Sequence, residues 1–218
     1  MQLIAFNGSP RKTSNTATLL DKAIAGAAAA GASTRLVHLY DLKFQGCRSC
    51  FGCKTKGGPS HGRCAMKDDL TPLLDEVRQA DALLFGSPIY FWGMTGEMKS
   101  FLERLMFPFY RYVPETDPAG SLFPRKIRTG FIYTCNAPEE RLKSIGFERT
   151  AGTTAYFLER IFGAAETIFA TDTYPWDDFS KIDQQRFDPA RKAARREEHW
   201  PGECRCAYEF GARLVAQS

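Results

Sequence analysis

Short apolar runs alternate with segments of helical periodicity along most of the chain. Five runs have the length of buried strands: residues 2–6, 34–39, 82–85, 127–134 and 166–170. Helices are predicted between and after them, from about residue 15, over 69–79, 95–106 and 150–162, and after residue 188. Strands that alternate with crossover helices pair in parallel, so we predict an α/β fold with a doubly wound, five-stranded open sheet.

Three connections are too long and irregular to be plain turns: residues 41–67, 107–126 and 136–148. Long loops in a compact domain usually carry function. In a doubly wound sheet, ligands bind beyond the carboxyl ends of the strands, where the strand order reverses. We therefore expect a functional site at this edge, beginning with the loop after the first strand.

That first loop is rich in hydroxyl, amide and guanidinium donors: Ser9, Arg11, Ser14, Asn15 and Thr16. The first turn of the following helix holds no Asp or Glu, which leaves the positive end of the helix dipole to a foreign anion. Neither a dinucleotide fingerprint nor a P-loop pattern is present. We interpret the anion as a phosphomonoester, with an ordinary capped helix as the alternative.

A second distinctive loop follows the third strand, where Tyr90, Phe91 and Trp92 lie between Pro88 and Gly93. Aromatic rings at the carboxyl end of a central strand would face a planar ligand or a partner. The proline and glycine shape the backbone so that main-chain groups can reach the edge of a heteroaromatic ring. A core aromatic cluster or a dimer surface is the alternative interpretation.

The composition fits one ordinary domain: 218 residues, 44% of them hydrophobic and 25% charged, so we expect a single domain over residues 1–218 with a last helix at about 188–216. The net charge of +4 is small, and we interpret the basic run at 186–196 as a solvated helix face. No signal-peptide pattern and no long apolar run are evident. We expect a cytoplasmic protein without a nucleic-acid or membrane partner.

The chain resembles the flavodoxin-like NAD(P)H-dependent FMN reductases over most of its length, through GSPR at 8–11, SNT at 14–16, SPIY at 87–90, GEMK at 96–99 and Arg104. The resemblance implies a sheet in the order 2-1-3-4-5 with helices on both faces, FMN as the cofactor and NAD(P)H as the co-substrate. Lys99 and Arg104 are equally consistent with surface ion pairs or subunit contacts.

Carried over by position, the resemblance assigns the flavin phosphate and the flavin ring to separate loops. It implies Ser9, Arg11, Ser14, Asn15 and Thr16 on the phosphate, Pro88, Ile89, Tyr90, Phe91, Trp92 and Gly93 on the ring, and Thr134, Cys135 and Asn136 nearby. The flavin itself supplies the chemistry, so no side chain is assigned a catalytic role.

Four of the seven cysteines lie in the long loop at 41–67: Cys47, Cys50, Cys53 and Cys64. Close thiolates are how proteins hold metal clusters. The segment resembles the cysteine motif of the iron-sulfur flavoproteins, a branch of the same fold with a 4Fe-4S centre, although its last gap of ten residues is longer. Free thiols and a zinc site are the alternatives.

We therefore predict an FMN-dependent oxidoreductase that takes hydride from NAD(P)H and reduces a quinone, a flavin, an azo or nitro compound or a protein acceptor. A cluster at the four cysteines would instead indicate an iron-sulfur electron carrier. A third hypothesis is a flavin-binding regulatory or interaction module, in which the aromatic residues at 107–112 serve a partner. The family resemblance implies a homodimer or homotetramer.

Overall fold

The computed structural model of the protein describes residues 1–117 and 119–216. Its strands and helices follow one another in this order: β1 (Gln2–Asn7), α1 (Asn15–Ala29), β2 (Ser33–His38), α2 (Leu70–Val77), β3 (Ala82–Pro88), α3 (Gly96–Met106), β4 (Ile127–Thr134), α4 (Glu139–Ser144), α5 (Phe147–Phe162), β5 (Gly163–Ala170) and α6 (Pro189–Val215).

All five strands pair in parallel, in the order β2-β1-β3-β4-β5, which confirms the predicted fold class. The order reverses between β1 and β3, where Asn7 pairs with Gly86 at the carboxyl ends. Pro88 in turn pairs with Thr134 at the end of β4. The loops that follow β1, β3 and β4 therefore leave the sheet side by side.

Helices cover both faces of the sheet, as β1 illustrates. Ile4 and Phe6 point into a core with α2, α3 and α5. Leu3 and Ala5 point into the opposite core with α1 and α6. Every one of these strand side chains is fully buried, as expected for a central parallel strand with helices on both sides.

The helices α1 and α6 pack with their backbones in close approach. A Cβ atom added to Gly211 would lie 1.8 Å from the carbonyl oxygen of Ala23, and one added to Gly26 would lie 1.9 Å from that of Tyr208. Two glycines therefore set the spacing of this helix pair.

The predicted elements are present, and the boundaries differ by up to three residues, as at β5, which begins at Gly163 rather than residue 166. The segment at 136–148, predicted as loop, contains the short helix α4, and α5 begins at Phe147 rather than near residue 150. Glu139 and Glu140 lie in the first turn of α4, where carboxylates complement the helix dipole. No helix within 1–117 or 119–216 is both long and apolar enough to cross a bilayer.

Candidate functional site

A pocket of about 310 Å³ opens at the carboxyl edge of the sheet, beyond β1, β3 and β4. Eleven of the fourteen residues predicted to bind a cofactor line it: Ser9, Arg11, Ser14, Asn15, Thr16, Pro88, Ile89, Tyr90, Thr134, Cys135 and Asn136. Three further lining residues, Thr173, Pro175 and Trp176, lie in the segment after β5 and were not predicted.

The N-terminus of α1 forms one end of this pocket. Ser14 occupies the N-cap position, but its side chain makes no capping hydrogen bond, and the first turn carries no acidic residue. Backbone N–H groups in the first turn of a helix have no partner within the helix. The turn thus presents hydroxyl and N–H donors together with a positive dipole, which is how proteins bind phosphate.

The loop between β1 and α1 is folded by its own side chains. The Asn7 carboxamide oxygen accepts a hydrogen bond from the Ser9 N–H at 2.9 Å, and the Ser9 hydroxyl accepts one from the Arg11 N–H at 3.2 Å. Asn7 is fully buried, and Ser9 is nearly so. The loop is therefore fixed before any ligand arrives.

Threonine hydroxyls connect this loop to its two neighbours. The Thr95 hydroxyl, at the start of α3, donates to the Gly8 carbonyl at 2.7 Å, and the Thr95 N–H donates to the Ser87 hydroxyl at 3.0 Å. The hydroxyls of Thr16 and Thr134 lie 2.7 Å apart in a buried hydrogen bond. The loops after β1, β3 and β4 thus form one connected unit.

The segment after β5 contacts the side of the pocket formed by the N-terminus of α1. Arg11 donates to the Pro175 carbonyl at 2.8 Å, and Asn15 donates to the Tyr174 carbonyl at 2.9 Å. Arg196 of α6 donates to the Asn15 carboxamide oxygen at 3.0 Å. Arg196 is a site residue that the sequence reasoning missed, because the basic run that contains it was interpreted as solvated.

The predicted aromatic loop forms a tight turn, of which Tyr90 lines the pocket. Tyr90 and Gly93 exchange backbone hydrogen bonds of 2.8 and 2.9 Å around Phe91 and Trp92, whose φ angles are +48° and +61°. Phe91 is fully exposed, and Phe91, Trp92 and Gly93 are not among the described residues that line the pocket. Bulky residues rarely adopt positive φ, and such strain is concentrated at functional sites.

The interpretation of residues 186–196 as a solvated face is wrong for Lys192. Its ammonium group is fully buried and donates to the Asn136 carbonyl at 2.6 Å, to Asp172 at 2.5 Å and to the Thr173 carbonyl at 3.2 Å. Asn136 and Thr173 both line the pocket, so the hydrogen bonds of Lys192 connect two segments of its wall. Arg191 completes the arrangement with a bidentate pair to Asp172.

Electrostatics keep Asp172 ionised in this network. Burial by itself raises the pKa of Asp172, but hydrogen bonds from Arg191 and Lys192 and the charges of both outweigh burial and leave the pKa below its ordinary value. The buried ammonium is therefore matched by a carboxylate, as a buried charge requires.

The four loop cysteines surround a second, very small cavity. Cys47, Cys50, Cys53 and Cys64 all line a space of about 10 Å³. In the described ranges, no three His, Cys, Asp or Glu side chains are arranged to hold a metal ion. The sulfurs thus share one space without forming a metal site, and a cluster would require the loop to expand.

Arg104 lies beside this cavity and is a buried residue, which corrects the expectation of a surface ion pair or subunit contact. Its guanidinium makes a bidentate pair with Asp68 at 2.7 and 3.0 Å and donates to the Cys64 sulfur at 2.9 Å. Lys99, by contrast, forms the expected exposed pair with Glu103.

Known proteins resemble this chain in sequence over about half of its length. An iron-sulfur flavoprotein of Methanocaldococcus jannaschii is 33% identical over 104 residues, 48% of this chain and 51% of that protein. An FMN-dependent NADH:quinone oxidoreductase of Nocardia farcinica is 29% identical over 132 residues, 59% of this chain and 50% of that protein. The chain spans about half the length of the curated relatives it matches.

A solved structure extends the likeness of fold to the whole chain. The NAD(P)H:quinone oxidoreductase from Methanothermobacter marburgensis superimposes with a TM-score of 0.69 at 13% identity, covering 100% of this chain and 98% of the other. At the level of family, residues 1–117 match the family described as NADPH-dependent FMN reductase. This match covers more than half of the chain, and the protein therefore belongs to the NADPH-dependent FMN reductase family.

Proposed function

We propose that the protein is an oxidoreductase that binds FMN in the pocket beyond β1, β3 and β4. It takes hydride from NAD(P)H and reduces a quinone, a flavin, an azo or nitro compound or a protein acceptor. The observation that carries the proposal is the uncapped N-terminus of α1, which shares one pocket with the ends of two neighbouring strands. The quinone reductase and flavoprotein names of the relatives support it.

The residues present suit a flavin mononucleotide. Hydroxyls of Ser9, Ser14 and Thr16 and the first N–H groups of α1 suit a phosphate dianion, with the Arg11 guanidinium as its counter-charge. The segments 88–90 and 134–136 line the pocket together with Trp176, and their side chains and backbone suit a planar ring. When bound, FMN supplies the hydride chemistry.

The chain's own contribution in this proposal is binding and orientation. The hydrogen bonds of Thr95 and the pair between Thr16 and Thr134 hold the phosphate loop and the ring loops at fixed spacing. A preformed site loses little conformational entropy on binding. The exposed, strained turn at 90–93 continues from the lining segment 88–90, and we propose that its aromatic side chains cover the ring from solvent.

Substitution of the phosphate loop tests this assignment. We expect Arg11→Ala to weaken FMN binding by about 1.5–3 kcal/mol, the value of a hydrogen bond to a charged group, and Ser9→Ala to weaken it by about 0.5–1.5 kcal/mol. Flavin fluorescence titration of the apoprotein measures both. Arg149→Ala, which removes an exposed arginine from α5, is the control and should bind FMN as the wild type does. Unchanged retention by Arg11→Ala and Ser9→Ala would exclude the phosphate assignment.

A second candidate function is favoured by the convergence of four cysteines on one cavity. We propose that Cys47, Cys50, Cys53 and Cys64 can hold a 4Fe-4S cluster once the loop expands, which would make the protein an iron-sulfur electron carrier. Such a cluster supplies one-electron transfer. The buried guanidinium of Arg104 would donate a hydrogen bond to the sulfur of Cys64, as it does in this structure.

An anaerobic absorption spectrum with iron and sulfide assays separates the two functions. A cluster predicts absorption beyond the flavin bands and about four iron atoms per chain. Cys53→Ser should then lose the iron and keep the FMN, whereas Cys206→Ser, at an exposed cysteine of α6, should keep both. Flavin bands without iron in anaerobically purified protein would remove the carrier function and leave the reductase.

The family resemblance also leads us to propose a homodimer or homotetramer. Light scattering on the FMN-loaded protein distinguishes these two states from a monomer.

A further inference from the structure

A second sizeable pocket lies between the end of the cysteine loop and the helices α2 and α3. Its volume is about 330 Å³, and its walls come from the segment 59–67, from α2 and from the C-terminal end of α3. Among the described residues, none lines both this pocket and the proposed flavin pocket. It is therefore separate from the proposed flavin pocket, although Cys64 and Arg104 line both it and the small cysteine cavity.

The walls of this pocket are strongly basic. Arg63, Lys67 and Arg78 line it, and Asp75 is the one carboxylate among its described lining residues. Three cations against one carboxylate leave two positive charges in excess. Arg104 also reaches the pocket, but its charge is matched by the bidentate pair with Asp68.

Arg78 is held in place by contacts that do not neutralise it. Its guanidinium donates to the Gly62 carbonyl at 3.2 Å and lies over the Phe109 ring, 5.3 Å from the ring centre. Burial lowers the pKa of Arg78, and the charge of Arg63 lowers it further, against a smaller opposite effect of Asp75. The guanidinium groups of Arg63 and Arg78 thus face the same space and repel each other. An anion bound between them would offset this repulsion.

The ion pair between Arg63 and Asp75 is an exposed one. The Arg63 guanidinium pairs with Asp75 at 2.8 Å, and both side chains are more than half exposed. An exposed ion pair of this kind is weak. Arg63 can therefore exchange Asp75 for a ligand anion at little cost.

We propose that this pocket binds a small polyanion with phosphate or carboxylate groups, through the guanidinium forks of Arg63 and Arg78 and the ammonium of Lys67. Guanidinium groups match the geometry of both oxyanions, which bind to them through paired hydrogen bonds. The apolar part of the lining, Leu74, Leu105 and Pro108, leaves room for a short carbon skeleton beside the charged groups.

Calorimetric titration of the FMN-loaded protein with pyrophosphate, at low salt, tests the proposal. Excess FMN keeps the phosphate loop of α1 filled. We expect saturable binding to the wild type, a loss of about tenfold in affinity for Arg63→Gln and for Arg78→Gln, and a severalfold gain for Asp75→Asn, which frees Arg63. Arg149→Gln removes the same charge from α5 and should leave the affinity unchanged.

Citrate in place of pyrophosphate distinguishes the two oxyanion chemistries, and binding of either with this pattern of variants supports the proposal. Three results overturn it. The first is that neither anion binds the wild type. The second is that the variants of Arg63, Arg78 and Asp75 bind as the wild type does. The third is that binding is lost in Arg11→Ala but kept in Arg63→Gln and Arg78→Gln, which would place the anion at the phosphate loop.

Discussion

Replacement of Asp172 by alanine is expected to lower the free energy of unfolding by about 3–5 kcal/mol at neutral pH, because it removes the carboxylate from a buried ion pair. Lys192 is fully buried, and without Asp172 its ammonium group would have no carboxylate partner, only the carbonyls of Asn136 and Thr173 as hydrogen-bond acceptors and the Phe187 ring 4.9 Å away. Arg191 would lose both of its hydrogen bonds to Asp172. Urea denaturation followed by circular dichroism measures the loss.

The neighbouring Asp177 offers a matched control. It is exposed and lies in the same segment after β5, so Asp177→Ala should change the unfolding free energy by no more than about 0.5 kcal/mol. A similar small effect of Asp172→Ala would show that the buried network contributes no stability.

The stability that the Asp172 carboxylate contributes should also depend on pH, and it should decrease in acid. The pKa of Asp172 in the folded protein lies below the ordinary value of 3.8, so its contribution is complete above that value and is lost as the pH falls through the lower, folded-state pKa. The stability difference between the wild type and Asp172→Asn should therefore be constant from about pH 5 to 7 and shrink in strongly acidic solution. A difference that grows on acidification would contradict this assignment.

The sequence predicted the fold well because its strands are short apolar runs between regular helices. It also predicted which loops meet, since the carboxyl ends of β1, β3 and β4 must lie at one edge once the strand order is set. The absence of acidic residues from the first turn of α1 follows from local sequence alone, whereas the missing side-chain cap at Ser14 is known only from the structure.

What the sequence could not predict depends on contacts between distant segments. Lys192 and Asp172 are 20 residues apart, and nothing local distinguishes Lys192 from the arginines around it in the run at 186–196. Arg196 reaches Asn15 across 181 residues. The turn at 91–92 was missed for a different reason: such turns normally contain Asn or Gly, and a Phe-Trp pair gives no signal for positive φ.

Gly211→Ala is expected to lower the unfolding free energy by about 3 kcal/mol, at the upper end of the range for overpacked sites. The added Cβ atom would lie 1.8 Å from the Ala23 carbonyl oxygen and 2.4 Å from its carbonyl carbon. Both are backbone atoms of α1, so no side chain can rotate away, and the two helices must separate. Because α6 carries Lys192 and Arg196, their separation should also weaken FMN retention.

Gly202→Ala, in the same helix, separates this steric effect from the general effect of a glycine in a helix. Gly202 is exposed, and no described atom outside its own helix lies within 4 Å of the position that its Cβ would take. Alanine has the higher helix propensity, so this variant should gain about 0.5–1 kcal/mol. Urea denaturation measures the change in unfolding free energy for both substitutions. A loss for Gly211→Ala together with a gain for Gly202→Ala would establish that the α1–α6 contact needs glycine for its close approach. Equal gains in unfolding free energy for the two variants would mean that α1 and α6 are farther apart in solution.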